Sequence, residues 1–85
     1  MKRVETSIII VNYNGGTVIL NCLASIFQHL SIEEIEVLVV DNDSQDGSPE
    51  QIAQKFPHVH LLRQKSNWGF GTANNIGVRH AKGKY

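Results

Sequence analysis

The stretch VVDNDSQDGSPE, Val39 to Glu50, places three carboxylates, Asp41, Asp43 and Asp46, within six positions, directly after an apolar run and before a helix start. A junction of this composition fits a calcium loop, a metal-binding Asp-x-Asp, the ribose-binding acid of a dinucleotide fold, or a nucleotide site of another kind. Position removes the first reading. An EF-hand loop begun at Asp41 needs glycine in its sixth place and glutamate in its twelfth, where this chain has Asp46 and Ile52. On its far side the stretch opens a helix, with Ser48 expected as N-cap, Pro49 at the first helical position and Gln51 completing a capping box. That helix is expected to stop at Phe56-Pro57, since proline restricts the residue before it.

Working outward, three short runs rich in β-branched residues read as strands: Ser7 to Asn12, Ile35 to Val40, and Val59 to Leu62. Their apolarity is continuous rather than alternating, which predicts strands covered on both faces, as in a parallel sheet. Between the first two, Ile19, Leu23, Ile26, Phe27 and Leu30 recur at helical spacing, with Asn21, Ser25 and Gln28 off that stripe. Cys22 borders the stripe and is expected in the core. Ala73, Ile76, Gly77, His80 and Ala81 form a third helical pattern stopped by Gly83. The order β-α-β-α-β-α with right-handed crossovers predicts an α/β, Rossmann-like three-layer fold with parallel strands ordered 3-2-1. Such sheets bind ligands beyond the carboxyl ends of their strands, which here are Asn12 to Gly16, Asp41 to Gly47, and Gln64 to Gly71.

Composition narrows the partners. Eight basic and eight acidic residues cancel in an 85-residue chain, so there is no basic field for nucleic acid or anionic lipid, and a small molecule or a protein is the expected partner. One cysteine allows no internal disulfide and no multi-cysteine zinc site, which suits a reducing compartment and makes the cytoplasm the expected location. The aliphatic run Ile8 to Val11 is far too short to span a bilayer, and the segment from Met1 to Thr6 lacks a signal-peptide core. No repeat or linker divides the chain, which reads as one unit over residues 1–85. Ending just past a helix-stop glycine, it reads as the front part of something longer.

Chemistry is then weighed motif by motif. The turn Asn12-Tyr13-Asn14-Gly15-Gly16 lacks the Gly-x-Gly-x-x-Gly spacing of a dinucleotide site, and Gly69-Phe70-Gly71-Thr72-Ala73-Asn74 has Asn in the last place. Asp41 nonetheless stands where a ribose-binding acid would, so a dinucleotide-binding fragment remains an alternative. There is no P-loop and no nucleophile elbow. His58 and His60 share one face, but two ligands make a poor zinc site, and solvated or capping histidines are the simpler reading. What remains is a mononucleotide pocket. Tyr13 offers a flat face for a base or is a plain loop aromatic. Asp41 accepts a hydrogen bond from a base or ribose, or caps local backbone amides. Asp46 reads as turn chemistry, while Asn67, Asn74 and Asn75 either contact ligand or tie the third loop together.

Three segments taken together resemble the opening of a family 2 glycosyltransferase, in its rhamnosyltransferase-like branch: TSIIIVNYNGG from Thr6, VLVVDNDSQDGS from Val37, and NWGFGTANNIG from Asn67. The resemblance runs through nearly the whole chain, with the motifs in the family's order. It implies a GT-A fold, of which residues 1–85 would be the N-terminal donor-nucleotide-binding portion, cut at the start of the fourth strand. It also implies a nucleotide-diphosphate sugar donor, UDP- or dTDP-linked, inversion at the anomeric carbon, and a divalent metal, Mg or Mn, in the full-length enzyme. Carried over by position, Val11, Asn12 and Tyr13 would hold the base and Asp41 would accept its N3–H. Asn67 and Gly69 would line the pocket floor, and Asn75 would brace the loops. Asp41-Asn42-Asp43 spells Asp-x-Asp, but the family's metal motif follows the fourth strand, so neither a metal role for Asp43 nor a metal bound by this chain alone is expected. The metal ligands and catalytic base would lie beyond Tyr85. This chain alone is therefore expected to be catalytically silent, with no catalytic residue assigned in it.

Two further expectations follow. If the order is 3-2-1-4, the first strand exposes an unpaired edge through which the chain would self-associate. A non-catalytic binding or assembly module that kept the nucleotide half-fold is the competing reading. Association of the full-length protein with the inner face of the membrane stays open.

Overall fold

A computed structural model describes residues 5–30 and 33–83. Lys84 and Tyr85, where a fourth strand is expected to begin, lie outside the described residues, as does the segment from Met1 to Val4. The elements run β1 (Thr6–Asn12), α1 (Gly16–His29), β2 (Ile35–Asp41), α2 (Ser48–Lys55), β3 (His60–Arg63) and α3 (Phe70–His80). The three strands form one parallel sheet in the order β1-β2-β3, the spatial order expected from the crossovers.

Alternation along β2 divides the core. Val37 and Val39 point to the side where Ile19, Leu20 and Leu23 of α1 and Ile52 of α2 close over them, with Ile8, Ile10 and Leu61 from the flanking strands. The rings of Phe27 and Phe56 stack at 5.9 Å between centroids along this layer. On the opposite face α3 lies on β1 and β2. Its close approach depends on Gly77, where an added Cβ would come within 2.5 Å of Ile9 Cγ2 and 3.3 Å of Val40 Cγ2. Only β2 is buried nearly throughout. β1 is half-buried along its apolar run and β3 has exposed ends, so full cover on both faces belongs to the central strand alone.

Several local expectations are corrected. Cys22 is exposed rather than in the core. At about 100° per residue the buried arc of α1 runs from Ile26 round to Leu20, and Cys22 falls about 40° outside it. Leu30 is 46% exposed because it is already the extended residue closing the helix. In α2 the N-cap is Gly47, in the left-handed region at φ 81°, and Ser48 is helical. No capping box forms. Asp46 Oδ1 instead accepts from Ser48 N at 2.9 Å, and a carboxylate one residue earlier does the capping. α3 starts at Phe70, before the apolar pattern begins, and ends at His80 with Ala81 extended. Gly83 does not close the helix; its N–H donates to Ser7 Oγ at 2.7 Å.

That contact belongs to a buried polar pin at the base of the sheet. Glu36 Oε1 accepts from Ser7 Oγ at 2.7 Å, from Gly83 N at 3.2 Å and from Lys82 N, so one carboxylate ties β2 to β1 and to the chain leaving α3. Burial is the largest single influence on Glu36 and opposes its ionisation. The hydrogen bonds from Lys82, Ser7 and Gly83 with the charge of His60 together outweigh it, and hold the carboxyl below its ordinary value. Because the folded pKa is depressed, the stabilisation is complete above the unfolded value of 4.5 and is lost as pH falls through the lower folded value. Glu36→Gln is expected to lower unfolding free energy by about 1–2 kcal/mol at neutral pH. In urea titrations the gap from wild type should shrink steadily below pH 4.5; a gap that stays constant with pH would refute the role of the charge.

Candidate functional site

Parallel register brings Asn12, Asp41 and Arg63 level at the carboxyl ends of the three strands. Asn42 N donates to Asn12 O at 2.9 Å and Gln64 N to Asp41 O at 2.8 Å, which carries the ladder one step into the loops. Asn12, 2% exposed, and Asp41, 1% exposed, face each other there. Asn12 Nδ2 donates to Asp41 Oδ1 at 2.7 Å and to Ser48 Oγ at 2.9 Å, while its Oδ1 accepts from Gly15 N at 3.1 Å.

Asp41 also accepts from Ser44 twice, through Oδ1 from the hydroxyl at 2.7 Å and through Oδ2 from the backbone N–H at 2.9 Å. The backbone-capping reading of Asp41 is thus realised. An ionised carboxylate offers roughly four acceptor sites, so one remains, on Oδ2. Ser44 Oγ in turn accepts from Asn14 N at 2.8 Å, and Asn14 Oδ1 accepts from Gln45 N at 2.8 Å. Asp46 adds a further stitch: its Oδ1 accepts from Ser48 Oγ at 2.6 Å and its Oδ2 from Gly16 N at 3.0 Å. The Ser48 hydroxyl, then the N–H groups of Ser48 and Gly16, hold the Asp46 carboxyl below its usual range. Turn chemistry is therefore what Asp46 does. The β1–α1 and β2–α2 loops form one polar unit.

Beyond the Gln64 contact, the third loop joins this unit at one point. Asn42 Nδ2 donates to Gly69 O at 3.2 Å, and Asn67 Oδ1 accepts from Gly69 N at 2.9 Å. Gly69 sits at φ 86° with open space around its Cα, a conformation that favours glycine. The Asn75 side chain is exposed and makes no hydrogen bond among the described residues, whereas the Asn42 side chain ties the third loop to the end of β2. Around these strand ends Tyr13 is 53% exposed, Trp68 53% and Phe70 71%. The sequence reading passed over Asn42, Asn14 and Ser44. The Asp-x-x-Ser spacing from Asp41 to Ser44, a side chain capping an amide three residues on, was the available signal for the last.

Divalent-metal binding can be tested on the donors present. Among the described residues no three His, Cys, Asp or Glu side chains converge on a common point. Asp41 is engaged as above, and Asp43, at φ 64°, turns its Oδ1 to Gln45 Nε2 at 3.1 Å. These residues do not fit a metal centre. His58 and His60 lie near the opposite end of the sheet, beside Glu36, lining a cavity of about 310 Å³ with Phe27, Ile35, Val37 and Lys82.

A polar loop cluster at the carboxyl ends of a three-stranded parallel sheet has counterparts among known proteins. Glycosyl transferase family 2 matches residues 7–85. The chain belongs to that family. An N-acetylglucosaminyl-diphospho-decaprenol L-rhamnosyltransferase of Mycobacterium tuberculosis is 39% identical over 69 residues, which is 80% of this chain and 22% of that protein. Among solved structures, the mannosyltransferase PcManGT of Pyrobaculum calidifontis, in complex with GDP-Man and Mn2+, superposes with a TM-score of 0.80 at 29% identity, covering 95% of this chain and 25% of that one. TarS 1-349 of S. aureus in complex with UDP-GlcNAc does so with a TM-score of 0.78 at 31% identity, covering 95% and 24%. The fold is that of GT-A glycosyltransferases, and the chain spans a quarter or less of the length of these relatives.

Within this family frame the Asn12–Asp41 pair is the mechanical centre of the loops. Asn12→Ala, which strips a hydrogen bond from each of Asp41, Ser48, Ser44 and Gly15, is expected to cost about 2–3 kcal/mol in urea unfolding, because a buried carboxylate loses a donor. A cost below about 0.5 kcal/mol would mean the loops hold without it.

Proposed function

We propose that residues 1–85 form the donor-nucleotide-binding portion of an inverting glycosyltransferase, one that moves a sugar from a UDP- or dTDP-sugar to an acceptor hydroxyl. The observation that carries this is the unused acceptor position on Asp41 Oδ2 at the end of β2, beside the half-exposed Tyr13. Uracil and thymine each offer a single imide N3–H, which suits one remaining carboxylate site. Asp41 is 1% exposed, so a base reaches it only by displacing neighbouring loop atoms. In this reading Tyr13 stacks on the base, Val11 and Asn12 hold its edge, and Asn67 and Gly69 line the floor, the bracing role expected of Asn75 passing to Asn42. The sugar-transfer step draws on a divalent metal and a catalytic base supplied by the rest of a longer protein, and this chain alone binds without transferring. A reducing, cytoplasmic setting, at the inner membrane face for the longer protein, belongs to the same proposal; among the described residues no helix is long and apolar enough to cross a membrane.

Titration of the chain with UDP, dTDP and GDP, followed by backbone amide shifts, tests the reading. Binding of UDP or dTDP centred on Tyr13 and Asp41 is expected, without need for manganese. Tyr13→Ala should weaken it roughly tenfold to a hundredfold, the range of one base–aromatic stack, and leave the fold intact. Preference for GDP would overturn the pyrimidine assignment, and a folded chain that binds none of the three would overturn the nucleotide reading.

A second reading, a binding or assembly module, has one observation behind it. β1 pairs with β2 on one side and, among the described residues, with no strand on the other. An exposed strand edge of this kind invites pairing with a second copy. Sedimentation at rising concentration should show a dimer; a monomer at millimolar concentration would remove this partner.

A further inference from the structure

We propose that Asn42 is a positioning residue of the nucleotide site, holding the turn before α3 by one hydrogen bond and keeping a second for the ligand-bound state. The proposal rests on the nucleotide reading above and concerns how the third loop joins it. Asn42 is 2% exposed, and its two amide atoms differ sharply. Nδ2 donates to Gly69 O at 3.2 Å, whereas Oδ1 is buried with no donor, the sole such side-chain atom among the described residues. Reversing the amide offers no escape, since it would set Oδ1 against the Gly69 carbonyl and strand the NH2 group instead. A buried acceptor without a donor is costly, and native structures fill such positions with water, ligand or a moving segment.

The donors are close by in the chain. Gly69 is the N-cap of α3 and no side chain caps that helix, so the N–H groups of its first turn lack a side-chain acceptor. Gly69 and Gly71 have open space where a side chain would stand, and the flanking Trp68 and Phe70 rings are 53% and 71% exposed, so little packing opposes a shift of this segment. A base seated by Tyr13 and Asp41 gives those rings a surface to cover. Drawing the turn inward brings the backbone N–H of Trp68, Phe70 or Gly71 onto Asn42 Oδ1, the N–H of Gly69 being held by Asn67 Oδ1. Asn42 also donates its own N–H to Asn12 O at 2.9 Å, so it links the pair that reads the base to the turn that closes on it.

Amide hydrogen exchange of the intact chain, with and without saturating UDP, tests this. In wild type, UDP is expected to slow exchange at one or more of Trp68, Phe70 and Gly71. Asn42→Leu, of similar volume, should abolish that slowing and weaken UDP about tenfold while shifts at Tyr13 and Asp41 persist. Slowing that persists in Asn42→Leu while UDP still binds at Tyr13 and Asp41 would overturn the role given to Asn42. UDP binding at Tyr13 and Asp41 without slowing at 68–71 in wild type overturns the Asn42 proposal and leaves the nucleotide reading standing. Absence of UDP binding to folded wild type overturns both.

Discussion

The buried contact between Asn12 Nδ2 and Asp41 Oδ1, 2.7 Å long, is the constraint on which the upper half of the molecule depends. It joins the last residues of two adjacent parallel strands. A parallel register slips at the cost of every facing side chain, and here a slip would also strand a carboxylate in the core. Each partner then reaches into the loops, Asn12 to Gly15 and Ser48, Asp41 to Ser44. Loop shape is thereby inherited from strand register. That is how loops rich in Asn, Asp, Ser and Gly hold a fixed arrangement with little apolar burial of their own.

The opposite end of the sheet uses the same device with a different outcome. Glu36 gathers donors from Ser7, Lys82 and Gly83 and closes the base of β1, β2 and the α3 exit. Between the two polar ends lies the apolar layer of Val37, Val39, Leu23 and Ile52. The polar ends supply direction and register, and the apolar middle supplies the driving force for collapse. The end with exposed aromatics and an unfilled buried acceptor is the one proposed as the nucleotide site.

Membership of glycosyltransferase family 2 fits this division of labour. The relatives with bound donors carry different nucleotides, GDP-Man in one and UDP-GlcNAc in another. A fold that hosts both leaves the choice of base to individual side chains around the strand ends rather than to the sheet itself.

Much of this was legible in the residues themselves. Continuous β-branched runs marked the strands, Phe56-Pro57 marked the end of α2, and the order of elements with right-handed crossovers settled the sheet, because these signals are local or follow from chain connectivity. What lay beyond sequence reading were the choices among equivalent polar groups. Ser48 and Asp46 could each cap α2, and Asp46 does so because Ser48 is already committed to Asn12 across the sheet. Asn75 and Asn42 could each brace the third loop. Asn42 does so because β2 delivers it buried beside Gly69, whereas Asn75 emerges on the outer side of α3. Cys22 belonged to either side of the α1 stripe until packing set the helix's rotation. Periodicity and turn chemistry are written along the chain; which of several competent donors meets which acceptor is decided only when distant strands come into register.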